Sequence, residues 1–343
     1  MATQTQATLS DSVKTQYLRR LLMRAVPRLI HGRFGEKANI SGHGSLEWRK
    51  FGAISVAAGG PSALSEGVTP ESESTSVSTV TATPAFYGSY LQHTDELEMT
   101  SYDPIVSEFS NVLGEHAGLA IDTLIREDIL GSSPTTRFAG AATARGNIDS
   151  TNDKISYIDF LKAVSVLMAN SALPVDGARY ACILHPHSYA TLMNTDRFVN
   201  TFLHASPRDN DSNPLRTGFM GTFLNVDIYI SGNAREYADA GTSSTADVYI
   251  ALFIGREAYG VVGVGNIDPR DVDGAGNDPF AVNTGKGRSL APVDLIVKPL
   301  GSGGAEDPLN QRGTVAWKAA HDTAMLNASW IISLEHANEF TDA

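Results

Sequence analysis

Between residues 103 and 130 the chain reads DPIVSEFSNVLGEHAGLAIDTLIREDIL, with apolar residues at Ile105, Phe109, Val112/Leu113, Ala117, Ala120/Ile121, Leu124/Ile125 and Ile129. Spacings of three and four place these on one stripe of an α-helix, so the stretch predicts a single amphipathic helix. Asp103 stands where an N-cap carboxylate belongs, Pro104 takes the first-turn position, and Gly131 with Pro134 closes the far end. At 1.5 Å per residue the rod spans roughly 40 Å. A rod of that length needs cover all along it, so the remaining chain is expected to lie across it as sheet or helix. Gly114 and Gly118 each weaken it by up to about 1 kcal/mol relative to alanine. Their position on neighbouring turns suggests another backbone passing close.

The other elements can be placed around this rod. Residues 11–37 carry Tyr17, Leu18, Leu21, Leu22 and Ala25 on one face, with Lys14, Arg19, Arg20 and Arg24 decorating the other side until Pro27 ends or kinks the helix. This basic amphipathic arm suits a helix docked on its own domain or on a neighbour; its composition also suits an organellar transit peptide. Next, Leu46 and Trp48 alternate with polar residues, a Gly/Pro/Ser-rich tip follows, and Val77, Thr79, Thr81 and Thr83 alternate on the way back. That describes a two-stranded β-arm with too little apolar surface for a core of its own, so its expected place is against another chain. The alternative is a surface insertion.

Beyond the rod, YIDFLKAVSVLMANSALP has helical spacing, ARYACILH reads as a buried strand and PHSYATLMNTDRFVNTFL as a second helix, giving an α/β or α+β layer. GTFLNVDIYISG and ADVYIALFIG read as strands, the second apolar on both faces and therefore central. PVDLIVKPL is a strand, GSGGAEDPLNQRG a turn, and MLNASWIISLEHA a final strand with Leu326, Ala328, Trp330, Ile332 and Leu334 on one face, expected to return to the sheet beside the long helix.

Charge is uneven. Residues 1–50 hold nine Lys/Arg against Asp11, Glu36 and Glu47, a net +6, which leaves −18 of the total −12 for the rest. With 42% hydrophobic residues the chain can bury a sizeable core, and no run approaches the eighteen apolar residues of a membrane span. The N-terminus shows no uninterrupted apolar signal-peptide core. The single cysteine, Cys182, lies in an apolar run and reads as a buried, inert thiol.

Candidate chemistry is sparse. His185-Pro186-His187 offers two imidazoles without further ligands at a recognised spacing, and reads as a helix entry. The acidic loop from Asp271 to Asp278 has oxygen donors around glycines but lacks the closing glutamate of a calcium loop. The glycine run from Gly260 to Gly265 does not follow the dinucleotide fingerprint. No nucleophile elbow, phosphate loop or paired catalytic carboxylates are found. The reading is therefore no catalytic residue, no cofactor and no metal.

Several local motifs, in this order, resemble the major capsid proteins of tailed bacteriophages, which have the Hong Kong-type capsid fold. They are the arm tip Leu64-Ser65-Glu66-Gly67-Val68-Thr69-Pro70, Gly88-Ser89-Tyr90-Leu91, Thr94-Asp95-Glu96-Leu97, Asp103-Pro104-Ile105 with Leu113-Gly114-Glu115-His116-Ala117 and Ile121-Asp122, Leu184-His185-Pro186-His187-Ser188-Tyr189, Gly218-Phe219-Met220-Gly221-Thr222 and Gly255-Arg256-Glu257-Ala258-Tyr259-Gly260. The resemblance implies an α+β chain with an N-terminal arm (1–44), an extension loop or extended β-hairpin (45–83), a peripheral domain (84–152) carrying the spine helix 103–130, an α/β axial domain (153–287) and a C-terminal return to the peripheral domain (288–343). It implies a structural protein, not an enzyme. Hexamers and pentamers of it would build an icosahedral shell around nonspecifically held double-stranded DNA, assembled in the host cytoplasm, with separate scaffolding, portal and decoration proteins as partners and no membrane. Assembly contacts are expected at Arg19, Arg20, Arg24, Trp48, Leu64, Glu66 and Pro70, the arginines meeting carboxylates of an adjacent subunit. The lysine used by some relatives for covalent crosslinking has no counterpart between Lys50 and Lys154. Two other classes fit the residues alone: a nucleic-acid-binding protein reading through its basic arm, and an α/β enzyme with an unrecognised site.

Overall fold

A computed structural model describes residues 30–39, 44–52, 54, 66–69, 72–101, 104–175, 177–194, 219–263, 293–303 and 307–339. In chain order these form β1 (Glu36–Asn39), β2 (Leu46–Phe51), β3 (Val77–Ala82), β4 (Ala85–Thr94), α1 (Asp95–Thr100) and α2 (Ile105–Gly131). There follow β5 (Thr135–Phe138), α3 (Tyr157–Ala169), β6 (Tyr180–Leu184), α4 (Pro186–Met193), β7 (Phe219–Phe223), β8 (Val226–Ile230) and β9 (Glu236–Tyr237). The chain closes with β10 (Val248–Ile254), β11 (Tyr259–Gly263), β12 (Val293–Lys298), β13 (Arg312–Met325) and β14 (Ile331–His336).

The long helix α2 is unbroken across Gly114 and Gly118, and both glycines lie on its covered face together with Leu113, Ala117, Ile121, Ile125 and Ile129. Its ends differ from the expected caps. Pro104 stands at the cap itself, its carbonyl accepting from the N–H groups of Ser107 and Glu108, while Asp103 lies outside the described residues. Gly131 is still helical; Ser133, with φ 55°, makes the left-handed turn that releases the chain into Pro134. Val112, placed in the apolar stripe by spacing, projects outward instead.

The helix lies on a five-stranded sheet whose central member is β13, a 14-residue strand absent from the sequence reading. Residues 312–321 of β13 pair with β4, residues 314–319 with β12 and residues 321–325 with β11, which holds β1 in parallel. Val315, Trp317 and Ala319 alternate toward α2, and the Trp317 indole N–H donates to His116 Nδ1 at 3.1 Å.

A second sheet runs β5-β14-β10-β6-β8-β7, with β9 alongside β10. All seven residues of β10 are buried, as expected for a strand apolar on both faces. Ile250, Leu252 and Ile254, with Ala181, Ile183 and Ile331, join the core of α2. Ala251 and Phe253, with Cys182, Leu184, Ile332 and Leu334, face Phe160, Val164 and Leu167 of α3 and Leu192 of α4. One sheet therefore separates two helical layers.

Two strand readings are corrected. GTFLNVDIYISG is a hairpin, β7 turning into β8 at Leu224 and Asn225, both left-handed with φ of 47° and 60°. Such a two-residue turn matches the twist of its flanking strands. MLNASWIISLEHA is not one strand. Leu326 and Asn327 both donate to the Ala258 carbonyl, residues 328–330 form a 3-10 turn, and only Ile331–His336 continues, in the second sheet rather than the one under α2. Trp330 sits at the junction and packs against both cores.

Candidate assembly surfaces

The β-arm pairs Leu46–Phe51 with Val77–Ala82 in antiparallel register, Leu46 opposite Ala82 and Phe51 opposite Val77. Its two ends differ. At the root, Leu46, Trp48 and Val80 pack with Ala82, Val262 and Ala324 of the same chain. The indole of Trp48 lies on Gly260, where a Cβ would come within 2.5 Å of the ring, so only glycine accepts it there. Trp48, expected as a contact to a neighbour, is thus half-buried against its own protomer. At the far end Phe51 is 69% exposed and Val77 53%. Glu66 is exposed. Arg19, Arg20, Arg24, Leu64 and Pro70 lie outside the described residues.

The root of the N-terminal arm is held by a network that sequence reasoning missed. Asp122, fully buried on α2, accepts from the backbone N–H of Ile30 and of His31 (2.8 Å each), from Asn233 Nδ2 (2.9 Å), and pairs with His31 Nδ1 (2.7 Å). Burial alone would push its carboxyl pKa up; the His31 ring and the surrounding N–H donors outweigh this and hold it down. Arg126, one turn on, donates to the Asn233 carbonyl and side chain, and the Tyr259 hydroxyl donates to the His31 carbonyl. A carboxylate set at the edge of an apolar helical stripe was the available signal.

The remaining polar groups hold structure together. The His185 ring caps α4, its Nδ1 accepting from His187 N–H with Pro186 at the first position. Among the described residues no grouping of His, Cys, Asp and Glu could hold a metal ion. The acidic loop 271–278 lies outside them. Arg145 grips the buried Glu335 through two hydrogen bonds of 2.8 and 2.6 Å and lies over the Tyr237 ring at 3.8 Å, tying β14 to the loop before α3. Cys182 is buried, and burial pushes its thiol well above the usual range. No described helix is long and apolar enough to cross a membrane.

Mixed helix and sheet in this arrangement is the fold of phage capsid subunits. The capsid of Ralstonia phage GP4 superposes with a TM-score of 0.68 at 14% identity, over 90% of this chain and 88% of that one. The cyanophage Pam1 capsid gives 0.58 at 13% identity over 87% and 86%, and the capsid of a native GTA particle 0.55 at 11% over 90% of each. Residues 77–332 match the sequence profile of the family described as phage capsid protein, 256 of 343 residues, and the chain belongs to that family. No curated protein matches it in sequence.

Proposed function

We propose that this capsid protein is the repeating subunit of the icosahedral head shell of a tailed phage, with the Hong Kong-type arrangement of arm, extension loop, spine helix and axial layer. The observation that carries the reading is the β-arm: rooted in its own protomer through Trp48, it leaves Phe51 and Val77 largely exposed at its other end. An isolated two-stranded ribbon is at best marginally stable, so a neighbouring subunit is its natural cover. Further apolar side chains point outward from α3, where Ile158, Leu161 and Met168 share one face, and from the sheet surface at Phe86 and Tyr90. Contacts between adjacent copies around a capsomer would cover the first set. The spine helix with β4, β12 and β13 forms the peripheral part, and the sheet centred on β10 with α3 and α4 the axial part.

Assembly is spontaneous or aided by a separate scaffolding protein, with a portal at one vertex. The net −18 beyond residue 50 suits a wall that encloses double-stranded DNA without gripping it, since phosphates are repelled by acidic surfaces. Purified recombinant protein examined by negative-stain microscopy, alone and with its scaffolding protein, should yield uniform closed shells. A salt-sensitive monomer that binds DNA and never forms particles would overturn the reading.

A further inference from the structure

Strand β4 is the long outer member of the sheet under α2. It runs ten residues, Ala85–Thr94, in unbroken register with β13, and among the described residues no strand pairs with its other side. One bond fixes where its free backbone groups point. The Asp95 N–H donates to the Gln311 carbonyl at 3.1 Å, and Asp95 comes next in register after Thr94 opposite Arg312. Bonded pairs alternate along an antiparallel ladder, so the odd-numbered residues of β4 turn their N–H and C=O groups to β13, whereas Phe86, Gly88, Tyr90 and Gln92 turn theirs away from it.

An open edge is a template for another strand, and proteins blunt such edges with short length, charge, proline or a bulge. The other outer strands of the two sheets, β1, β5, β7 and β12, are four to six residues long, and all but β7 contain charged residues. β4 uses none of these devices: no Asp, Glu, Lys, Arg or Pro lies between Ala85 and Thr94, and its register has no shift. Phe86 and Tyr90, 68% and 65% exposed, flank Gly88 on the face turned from α2, and the Lys318 ammonium lies over the Phe86 ring at 4.3 Å.

We infer that the free edge of β4 docks on the same edge of a second copy, the two strands meeting antiparallel about a twofold axis at Gly88 so that two sheets become one. An edge without charge meets its own copy without repulsion. With glycine opposite glycine at the axis, each Phe86 stands opposite the Tyr90 of the second copy, and the residues whose backbone groups point outward face each other across the seam. Cross-strand aromatic pairs of this kind stabilise a sheet. On the face toward α2, Tyr87 stands opposite the Ser89 of the second copy. There is room for the helices. Strands lie about 4.8 Å apart, which sets the two β13 strands about 14 Å apart. Each α2 lies over its own β13, on Val315, Trp317 and Ala319, and packed helices need only about 8–10 Å between axes. The reading as a repeating subunit enters only as the source of second copies.

The test uses the full chain, whose native thiol is buried. In this register Tyr87 and Ser89 of the two copies form a pair without mutual hydrogen bonds, about 4.5 Å between Cα atoms, within reach of a disulfide. A mixture of the Tyr87→Cys and Ser89→Cys proteins, oxidised at assembly concentration, should give a disulfide-linked dimer holding one of each, and neither variant alone should dimerise. A dimer from a single variant would overturn the register; no dimer in the mixture would overturn the interface. Adding Phe86→Glu and Tyr90→Glu to both proteins sets like charges opposite each other and should abolish the crosslink, whereas Phe86→Glu with Tyr90→Lys in both should restore it. A crosslink that survives the first pair would also overturn the docking. Closed shells without the crosslink would sink this inference and spare the shell reading; crosslinked dimers that never build shells would do the reverse.

Discussion

His31 Nδ1 and Asp122 Oδ2 lie 2.7 Å apart with both side chains wholly buried, joining the point where the N-terminal arm enters the body to the middle of the spine helix. Because Asp122 also receives two backbone N–H groups, it fixes the direction of the chain as well as pairing with a ring. Removing one partner of a buried pair leaves the other uncompensated, at a cost of about 3 kcal/mol or more. Asp122→Ala should therefore lower the unfolding free energy by that amount in denaturant titration and expose the chain near Ile30 to protease in the folded protein. Wild-type stability and an uncut arm would show that the network contributes little.

Acid should weaken the protomer in two stages. Burial holds the His321 and His336 pKa values down to about 4 against an ordinary 6.5, although Asp322 works against this for His321, and the Ala337 carbonyl and Asp159 do so for His336. The unfolded chain takes up these protons below about 6.5 and the folded one does not until about 4. Their stabilisation is therefore complete above 6.5 and is lost as pH falls from 6.5 to 4, on the order of 1–3 kcal/mol for each ring. Asp122, with its pKa lowered below 3.8, keeps its contribution through that range and loses it only in stronger acid. Asp128 is raised by burial and by Asp322, so it acts in the opposite sense as a partial offset. Thermal unfolding followed from pH 7 to pH 4 should show a falling midpoint; a flat one would contradict the neutral buried histidines.

The two ends of the β-arm should be separable by mutation. Trp48→Ala opens a gap over Gly260 and should cost about 2 kcal/mol of protomer stability. Phe51→Ser and Val77→Ser, at sites already exposed, should leave the melting temperature within about 1 °C, the small effect usual for surface substitutions, yet sharply reduce the yield of closed shells in the microscope. Deleting residues 54–74 while keeping the root should behave like the serine variants, because ordering that stretch costs on the order of 1 kcal/mol per residue that the protomer does not repay. Unfolded aggregates from the deletion would place the tip in the protomer's own core.

Covalent joining should be absent. The chain has no lysine from residue 51 to 153 and one buried thiol. Shells boiled in detergent without reductant should run as a single band near 36.5 kDa. A ladder would reveal a different linkage.

Periodic elements were legible in the sequence because their own residues repeat the contact pattern: α2 through its three-and-four spacing, β10 through seven consecutive apolar residues, and the β-arm through Leu46 and Trp48, which stand opposite Ala82 and Val80. What escaped depends on partners. β13 is rich in alanine and interrupted by Lys318, His321 and Asp322, so its strand character comes from β4, β11 and β12 rather than from its side chains. Trp330 looked like a strand residue because it alternates with Ile332, but the Ala258 carbonyl turns the chain just before it. The sheets also do not follow chain ranges: β11 joins the sheet under α2, whereas β5 and β14 join the other. Asp122 and His31, 91 residues apart, carry no local signal that they meet.

The position of β13 in the chain has a consequence for biosynthesis. β4 leaves the ribosome first, yet the strand that pairs with it begins 218 residues later, at Arg312 opposite Thr94. At about 5–20 residues per second that is a wait of roughly 10–40 seconds. Throughout that interval the long edge of β4 lacks the strand that pairs with it, and an interrupted chain never gains that strand. A nascent subunit is thus held in an aggregation-prone form until translation has almost finished, so chaperone demand during infection should rise as elongation through the segment between β4 and β13 slows.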